Sequence, residues 1–115
     1  MIDRLDDFLK LNTEALKLRA YRQSVIAGNI ANADTPGYKA VDFDFTRALD
    51  EAVGRRGAAS APELLYRRPV QDALDGNSVE MDAERARFAD NSVRYEAALK
   101  MLNAQIRSML AAMQG

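Results

Sequence analysis

The C-terminal third of the chain carries the clearest pattern of hydrophobic positions. From Phe88 onward, apolar or aromatic side chains recur at alternating spacings of four and three residues, the a/d pattern of a left-handed coiled coil. These positions, here named the C-terminal stripe, are Phe88, Ser92, Tyr95, Leu99, Leu102, Ile106, Met109 and Met113. Ser92 is the polar exception. Because Asp82 fits an N-cap, the pattern predicts a helix over residues 82–114.

A weaker pattern in the first third predicts a second long helix, over residues 3–33. Its apolar positions, the N-terminal stripe, are Leu9, Leu16, Ala20, Ala27 and Ile30. Thr13 and Gln23 interrupt this stripe, so the helix is a weak coiled-coil former on its own. Since a lone amphipathic helix is marginal in water, each stripe needs a partner. We therefore expect the two helices to pack antiparallel within one chain and against those of neighbouring copies.

Shorter and mixed patterns occupy residues 34–81. The first is an alternation of apolar and acidic side chains, in the order Val41, Asp42, Phe43, Asp44 and Phe45. It predicts a short extended stretch with its aromatic side chains inward and both carboxylates in solvent. Residues 46–53 predict a brief helix, residues 54–62 a loop, and residues 75–76 a hairpin turn. The predicted fold is mainly α, with long terminal helices, a short irregular or β middle segment, and all 115 residues in one unit.

A run of turn-forming residues separates the first helix from the middle segment. Its informative positions are Asn29, Asn32, Thr35, Pro36, Gly37 and Tyr38. Asparagine side chains hydrogen-bond to nearby backbone and favour helix ends. Pro36 disfavours the α conformation at Thr35, and Pro36 with Gly37 fits the centre of a type II turn. The run therefore predicts a helix stop and a fixed change of direction, with Tyr38 packed against the first helix.

The same run carries a family resemblance. Residues 29–40, NIANADTPGYKA, resemble the signature near the N-terminus of bacterial flagellar rod and hook proteins. Residues 75–82, DGNSVEMD, and residues 91–99, NSVRYEAAL, resemble a second block of that family. The resemblance covers both ends and most of the chain between, with residues 54–65 as the poorest match. The short length and the pairing of the two blocks are most like the proximal rod subunits.

The resemblance implies a structural role in a tubular rod that crosses the periplasm and couples the rotating membrane ring to the distal rod and hook. The terminal helices would line the export channel, and the two stripes would form the assembly contacts. The implied partners are other rod subunits, further copies of this chain, and a membrane-ring or export-gate adaptor at the rod base. The implied location is the flagellar basal body, reached through type III export without a cleaved signal peptide.

Composition offers little for catalysis or for nucleic-acid binding. Lys and Arg number 16 against 17 Asp and Glu, so no long-range attraction to nucleic acid is expected. The chain has no cysteine and no histidine, which removes thiolate chemistry and the commonest general base. The carboxylates of Asp42 and Asp44 and the group Asp72, Asp75, Asn77 and Asp82 are interpreted as surface, turn and cap residues. We expect no enzymatic activity, no cofactor and no metal site.

The ends of the chain lack membrane signals. The first seven residues are acidic, and no apolar run approaches the roughly 18 residues needed to cross a bilayer, so neither a secretory signal peptide nor membrane insertion is expected. Two other hypotheses remain open from the sequence. One is a cytoplasmic adaptor or export chaperone that forms a defined dimer, and the other is a small metal-dependent enzyme that uses the aspartate group.

Overall fold

Two long antiparallel helices form the body of the molecule. The structure is a computed structural model and describes residues 2–54, 61–67 and 80–114. In chain order its elements are α1 (Ile2–Ala31), β1 (Val41–Asp42), α2 (Phe45–Gly54), β2 (Leu65–Tyr66) and α3 (Met81–Gln114). The molecule measures 64 × 26 × 18 Å along its principal axes. The predicted fold class is confirmed: α1 and α3 pack against each other, and the middle segment holds one short helix and a two-stranded ribbon.

Both long helices differ from their predicted bounds by one or two residues. α1 ends at Ala31, because the chain enters a series of turns from Asn32 onward. α3 begins at Met81, and the Glu84 amide donates to the Glu80 carbonyl at 2.9 Å. Asp82 therefore lies inside the first turn, and its predicted role as N-cap is wrong. Its carboxylate still lies near the positive end of the helix dipole.

The extended stretch predicted for residues 41–45 is too long. Asp44 ends it, because its Oδ1 accepts a hydrogen bond from the Arg47 amide at 3.2 Å and its carbonyl accepts one from the Ala48 amide at 2.9 Å. Those bonds cap the start of α2, so Phe45 belongs to a helix and not to a strand. The predicted brief helix at 46–53 is present as α2, with Leu49 and Val53 half-buried.

A two-residue antiparallel ribbon joins β1 to β2. Its register pairs are Val41 with Tyr66 and Asp42 with Leu65. β2 has no counterpart among the predicted elements, since two residues are too few to show an alternating pattern. The described residues do not include the predicted turn at 75–76 or most of the predicted loop at 54–62. Three members of the aspartate group, Asp72, Asp75 and Asn77, also lie outside the described residues.

The hydrophobic core lies between the second half of α1 and the middle segment. One cluster of it contains Leu18, Phe43 and Ala48, with Tyr21, Phe45 and Leu49 packed against them. The rings of Tyr21 and Phe43 lie 5.5 Å apart, and the Arg19 guanidinium lies 4.3 Å above the Phe45 ring. Aromatic and cation–π contacts thus attach the middle segment to one face of α1.

Burial is concentrated at one end of the helix pair. Every buried side chain among the described residues lies within 18–52 or 84–91. Residues 4–16 of α1 and 98–114 of α3, here named the distal half, have only half-buried or exposed side chains. The pair is therefore firmly packed where the middle segment joins it and lightly packed toward the chain termini.

Candidate assembly site

The turn after α1 has the geometry that its sequence predicts. The Tyr38 amide donates to the Thr35 carbonyl at 3.2 Å, and Gly37 has a φ of 75°. Both values fit a type II turn with Pro36 and Gly37 at its centre. Asn32 closes the end of α1, since its amide and its Nδ2 both donate to the Gly28 carbonyl, at 3.1 and 2.8 Å. The chain therefore leaves α1 in one fixed direction.

Replacing Gly37 tests this turn. Apart from Gly37 itself and its two chain neighbours, no heavy atom of the described residues lies within 4 Å of the position that a Cβ would take, so added bulk meets open space. A β-branched residue at positive φ is nevertheless strained, and we expect Gly37→Val to lower the free energy of unfolding by about 1–2 kcal/mol. Gly37→Asn is the matched control with a smaller loss, because asparagine tolerates positive φ. Equal urea midpoints for wild type and Gly37→Val would contradict the assigned turn.

Asn29 connects this turn to the rest of the molecule. Its side chain is fully buried, donates to the Val41 carbonyl at 2.8 Å and to Glu84 Oε2 at 3.3 Å, and accepts from the Val41 amide at 3.0 Å. The Tyr38 hydroxyl donates to Asn29 Oδ1 at 3.3 Å. One carboxamide thus holds α1, the turn, β1 and α3 together, and Tyr38 lies against α1 as predicted.

Charged side chains extend the contacts around Asn29. The Asp42 carboxylate accepts hydrogen bonds from Arg22, at 2.9 and 3.2 Å, and from Arg67. The Glu84 carboxylate, 1% exposed, forms ion pairs with Arg67 and with Arg87. Arg67 therefore lies between the two carboxylates and links β1 to α3, while Arg22 links β1 to α1. Asp42 was predicted to face solvent, and that prediction is wrong: its strand lies over α1, where Arg22 reaches it.

The charge on Asp42 makes stability depend on pH. Burial raises the pKa of Asp42, but the hydrogen bonds from Arg22 and Arg67 outweigh burial and hold the pKa below its ordinary value of 3.8. A carboxyl group with a lowered pKa in the folded state contributes stability that is present above its ordinary pKa and is lost as the pH falls through the folded pKa.

We therefore expect the free energy of unfolding to fall below about pH 4, and Asp42→Asn to reduce that fall. Urea unfolding of both proteins at pH 7, 5, 4 and 3 gives the free energy of unfolding at each pH. The contributions of all other carboxylates are the same in the two proteins, so they cancel in the difference. Parallel pH profiles for the two proteins would contradict the ion pairs.

The N-terminal stripe is only partly buried by α3. Leu9, Leu16 and Ile30 are half-buried, whereas Ala20 and Ala27 are exposed. The fully buried apolar residues of α1, Leu18, Val25 and Ile26, lie outside the stripe. They were missed because the helix buries two faces, one against α3 and one against the middle segment, while a single stripe describes one face.

The C-terminal stripe is likewise divided. Tyr95, Leu102 and Met109 are half-buried, as is Ser92. The rest of the stripe is exposed, with Phe88 and Leu99 at 37%, Ile106 at 41% and Met113 at 82%. These four and Leu110, at 52%, follow one side of α3 and are here named the apolar edge. One chain therefore buries only part of the C-terminal stripe, and its contact with neighbouring copies stays a prediction.

The most buried positions of α3 carry polar side chains, because the apolar edge lies outside the in-chain interface. The side chains of α3 that are buried are Glu84 and Asn91, seven residues apart, and the half-buried Ala98 and Gln105 continue that spacing. An apolar periodicity cannot reveal such positions, because it counts only hydrophobic side chains. The available signal was Gln23 and Ser92, the polar interruptions of the two stripes.

Grooves lie beside the helix pair where the packing is open. One, of about 460 Å³, has Ala20 on α1 and Ser92, Tyr95 and Leu99 on α3 among its lining residues. A second, of about 540 Å³ in the distal half, includes Leu5, Met109 and Met113 in its lining. Both are largely apolar and border the less buried parts of the stripes.

The described residues show neither a metal site nor a membrane-spanning helix. Within residues 2–54, 61–67 and 80–114, no group of three or more acidic side chains is placed to hold a metal ion. In the same part of the chain, no helix is both long and apolar enough to span a bilayer. The described residues provide three features. The first is the turn at residues 35–38, held by Asn29 and named the anchored turn. The second is the set of ion pairs among Arg22, Asp42, Arg67, Glu84 and Arg87, named the ionic cluster, and the third is the exposed apolar edge.

Comparison with known proteins finds relatives in one family. Residues 9–39 match the model of a family described as flagella basal body rod protein. The chain is 45% identical to the flagellar basal body rod protein FlgB of Salmonella typhimurium over 136 aligned positions, which cover 100% of this chain and 99% of that protein. It is 45% identical to FlgB of Escherichia coli K12, over 99% and 98% of the two chains. FlgB of Cereibacter sphaeroides is 43% identical, over 95% of each chain.

Proposed function

The chain belongs to the flagellar basal body rod protein family, as a relative of FlgB, and from that membership we propose that it builds the proximal part of the rod. It is a structural component of the flagellum. In this position it would link the membrane ring to the distal rod and hook and transmit torque between them. All 115 residues act as a single rod unit in this proposal.

The apolar edge is the observation that supports assembly through the terminal helices. Five large apolar side chains of one helix remain between 37% and 82% exposed. Contiguous apolar surface of this kind is typical of interaction sites. Because the edge runs along α3 into the distal half, it suits side-by-side packing with helices of neighbouring subunits. Further copies of this chain and other rod subunits are the proposed partners, with an adaptor at the rod base.

The anchored turn has a complementary role. Torque must pass from subunit to subunit without changing the angle between the helix pair and the middle segment. Asn29 and the ionic cluster fix that angle from four elements at once, and Gly37 fixes the exit from α1. The chain thus acts by shape and contact, without catalysis or a cofactor, and is proposed to reach the basal body through type III export.

Deletion of the gene in the native bacterium tests the proposed position. We expect basal bodies purified from the deletion strain to retain membrane rings and to lack rods, hooks and filaments. Expression of the wild-type chain should restore them. Intact rods in the deletion strain would overturn the proposal, and a stable dimer that stays in the cytoplasm would favour the adaptor hypothesis.

Site-specific cross-linking tests the contact surface. The chain has no cysteine, so a single introduced thiol reports on one position. Ile106→Cys, on the apolar edge, is expected to cross-link to other rod subunits in purified basal bodies. Glu51→Cys, exposed on α2, is the control outside the proposed surface. Equal or stronger cross-linking from position 51 would contradict assembly through the edge.

A further inference from the structure

We propose that Asn91, with Gln23 and Ser92, is a positioning device that turns α3 so that its apolar edge stays outside the in-chain interface. These three side chains are here named the polar lock. Asn91 Nδ2 donates to the Arg19 carbonyl at 2.9 Å and to Gln23 Oε1 at 2.8 Å, and Gln23 Nε2 donates to Ser92 Oγ at 2.5 Å. The lock thus joins α1 to α3 and includes Gln23 and Ser92, each a polar interruption of its stripe.

The orientation of α3 needs such an explanation. Hydrophobic burial alone favours turning the stripe toward α1, with Leu99 and Ile106 inward. In the structure Ala98 and Gln105 are the half-buried neighbours instead, while Leu99 and Ile106 are exposed. Asn91 lies on the same face as Ala98 and Gln105, one heptad before the first and two heptads before the second, and it is 2% exposed. Inward rotation of the edge would carry the Asn91 carboxamide away from Gln23 and from the Arg19 carbonyl.

The distal half is free to change its orientation if the lock is removed. Asn91 is the last buried side chain of α3 among the described residues. An α-helix drifts by about 20° per heptad relative to a straight seam, so a loss of supercoiling over the three heptads from Glu84 to Gln105 turns the helix by about 60°. Because adjacent helical residues lie about 100° apart, that turn brings Ile106 nearer to the interface than Gln105. Glu84 fixes the start of the helix, and Asn91 therefore decides which face the remainder presents.

A purely stabilising role does not account for Asn91. Its Oδ1 atom is buried and accepts no hydrogen bond from the described residues. An apolar side chain avoids that unfavourable burial, and replacing all partners of a buried polar contact by apolar groups is often neutral or stabilising. Buried polar residues in helix interfaces specify one arrangement at a cost in stability. Here the specified arrangement leaves the edge exposed, and its use for assembly rests on the proposed function.

Thiol accessibility tests the lock in the purified full chain. Gln105→Cys and Ile106→Cys are made separately, in wild type and in the triple variant Gln23→Leu, Asn91→Leu, Ser92→Ala, and are alkylated with iodoacetamide. In the wild-type background Cys at 106 should react faster than Cys at 105. In the triple variant we expect the order to invert, because the edge turns inward. Ala104→Cys, exposed in both orientations, normalises the rates.

The outcomes distinguish a positioning role of the polar lock from a purely stabilising role. Inversion of the order together with an unchanged or raised melting temperature supports the lock. An unchanged order, or a matching rise at both positions with a lower melting temperature, overturns it. If the triple variant does not fold, Asn91→Ala alone decides, by whether the ratio of the rates at 106 and 105 falls. These readouts do not depend on rod assembly, so the deletion strain tests the proposed function independently.

Discussion

Glu84→Gln is expected to lower the free energy of unfolding by about 3 kcal/mol, because it removes one charge from a buried ion pair. The Glu84 carboxylate is 1% exposed and forms ion pairs with Arg67 and Arg87. Glutamine keeps the shape and an acceptor for Asn29, so the loss reports the charge and not a cavity. Arg67, whose side chain is 15% exposed, then keeps Asp42 as the only carboxylate partner among the described residues. Urea unfolding at pH 7 measures the difference.

The matched control lies in the same helix. Glu96→Gln makes the same chemical change at an exposed position, and there we expect a loss within about 0.5 kcal/mol. Similar urea midpoints for Glu84→Gln and Glu96→Gln would mean that the ionic cluster does not hold the end of the helix pair. A large loss for Glu84→Gln alone would establish it as the main polar anchor of α3.

Leu102→Asp is expected to abolish assembly and motility. Leu102 is a half-buried stripe residue in the distal half, where the helix pair has no fully buried side chain among the described residues. The fold provides no partner for a carboxylate at position 102, and burying that carboxylate in an assembled rod costs roughly 3 kcal/mol or more per subunit. Swimming assays and electron microscopy of basal bodies from the variant strain measure the effect.

Ala104→Asp is the control for this change. Two residues along a helix correspond to a rotation of about 200°, so position 104 lies on the opposite face from Leu102, and Ala104 is exposed. We expect purified Ala104→Asp to unfold as wild type does and its strain to swim better than Leu102→Asp. A motile Leu102→Asp strain with intact rods would refute the assembly role of the stripe.

The long helices were predictable because their signals are local. Alternating spacings of four and three residues identify α3 from Phe88 onward, and Pro36 with Gly37 places the end of α1 to within two residues. Asp82 placed the start of α3 to within one residue, although it is not the N-cap. These signals act through helix periodicity and backbone sterics, which neighbouring residues alone determine. The turn geometry was predictable for the same reason.

The pairing of the buried polar side chains was not predictable, because the partners are far apart in sequence. Asn29 and Glu84 are separated by 55 residues, and Gln23 and Ser92 by 69. Asp42 and Arg67 are 25 residues apart, on β1 and directly after β2, and each of these strands has only two residues. Each of these side chains alone reads as a surface residue, since Asp, Glu and Arg are rarely buried unless paired. Only the folded chain brings the two partners of each contact together.

The division of each stripe has a similar origin. Periodicity identifies which residues of a helix are apolar, but not which of two possible partners covers them. Leu99 and Ile106 fit the stripe as well as Leu102 does, yet they are exposed within one chain. What the pattern describes is the sum of the in-chain interface and the apolar surface that one chain leaves exposed.

The spacing of the contacts along the chain also bears on the order in which it folds. The bonds that join α1 to β1 close segments of about 12 to 20 residues, whereas the bonds from α1 to α3 close segments of 55 to 72. Closing a longer segment loses more chain entropy, by about (3/2)RT ln n, and contacts of long range form late. We therefore expect α1, its turn and β1 to associate first, before α3 is in place. During that interval the face of α1 that α3 later covers is open to any other helix within reach.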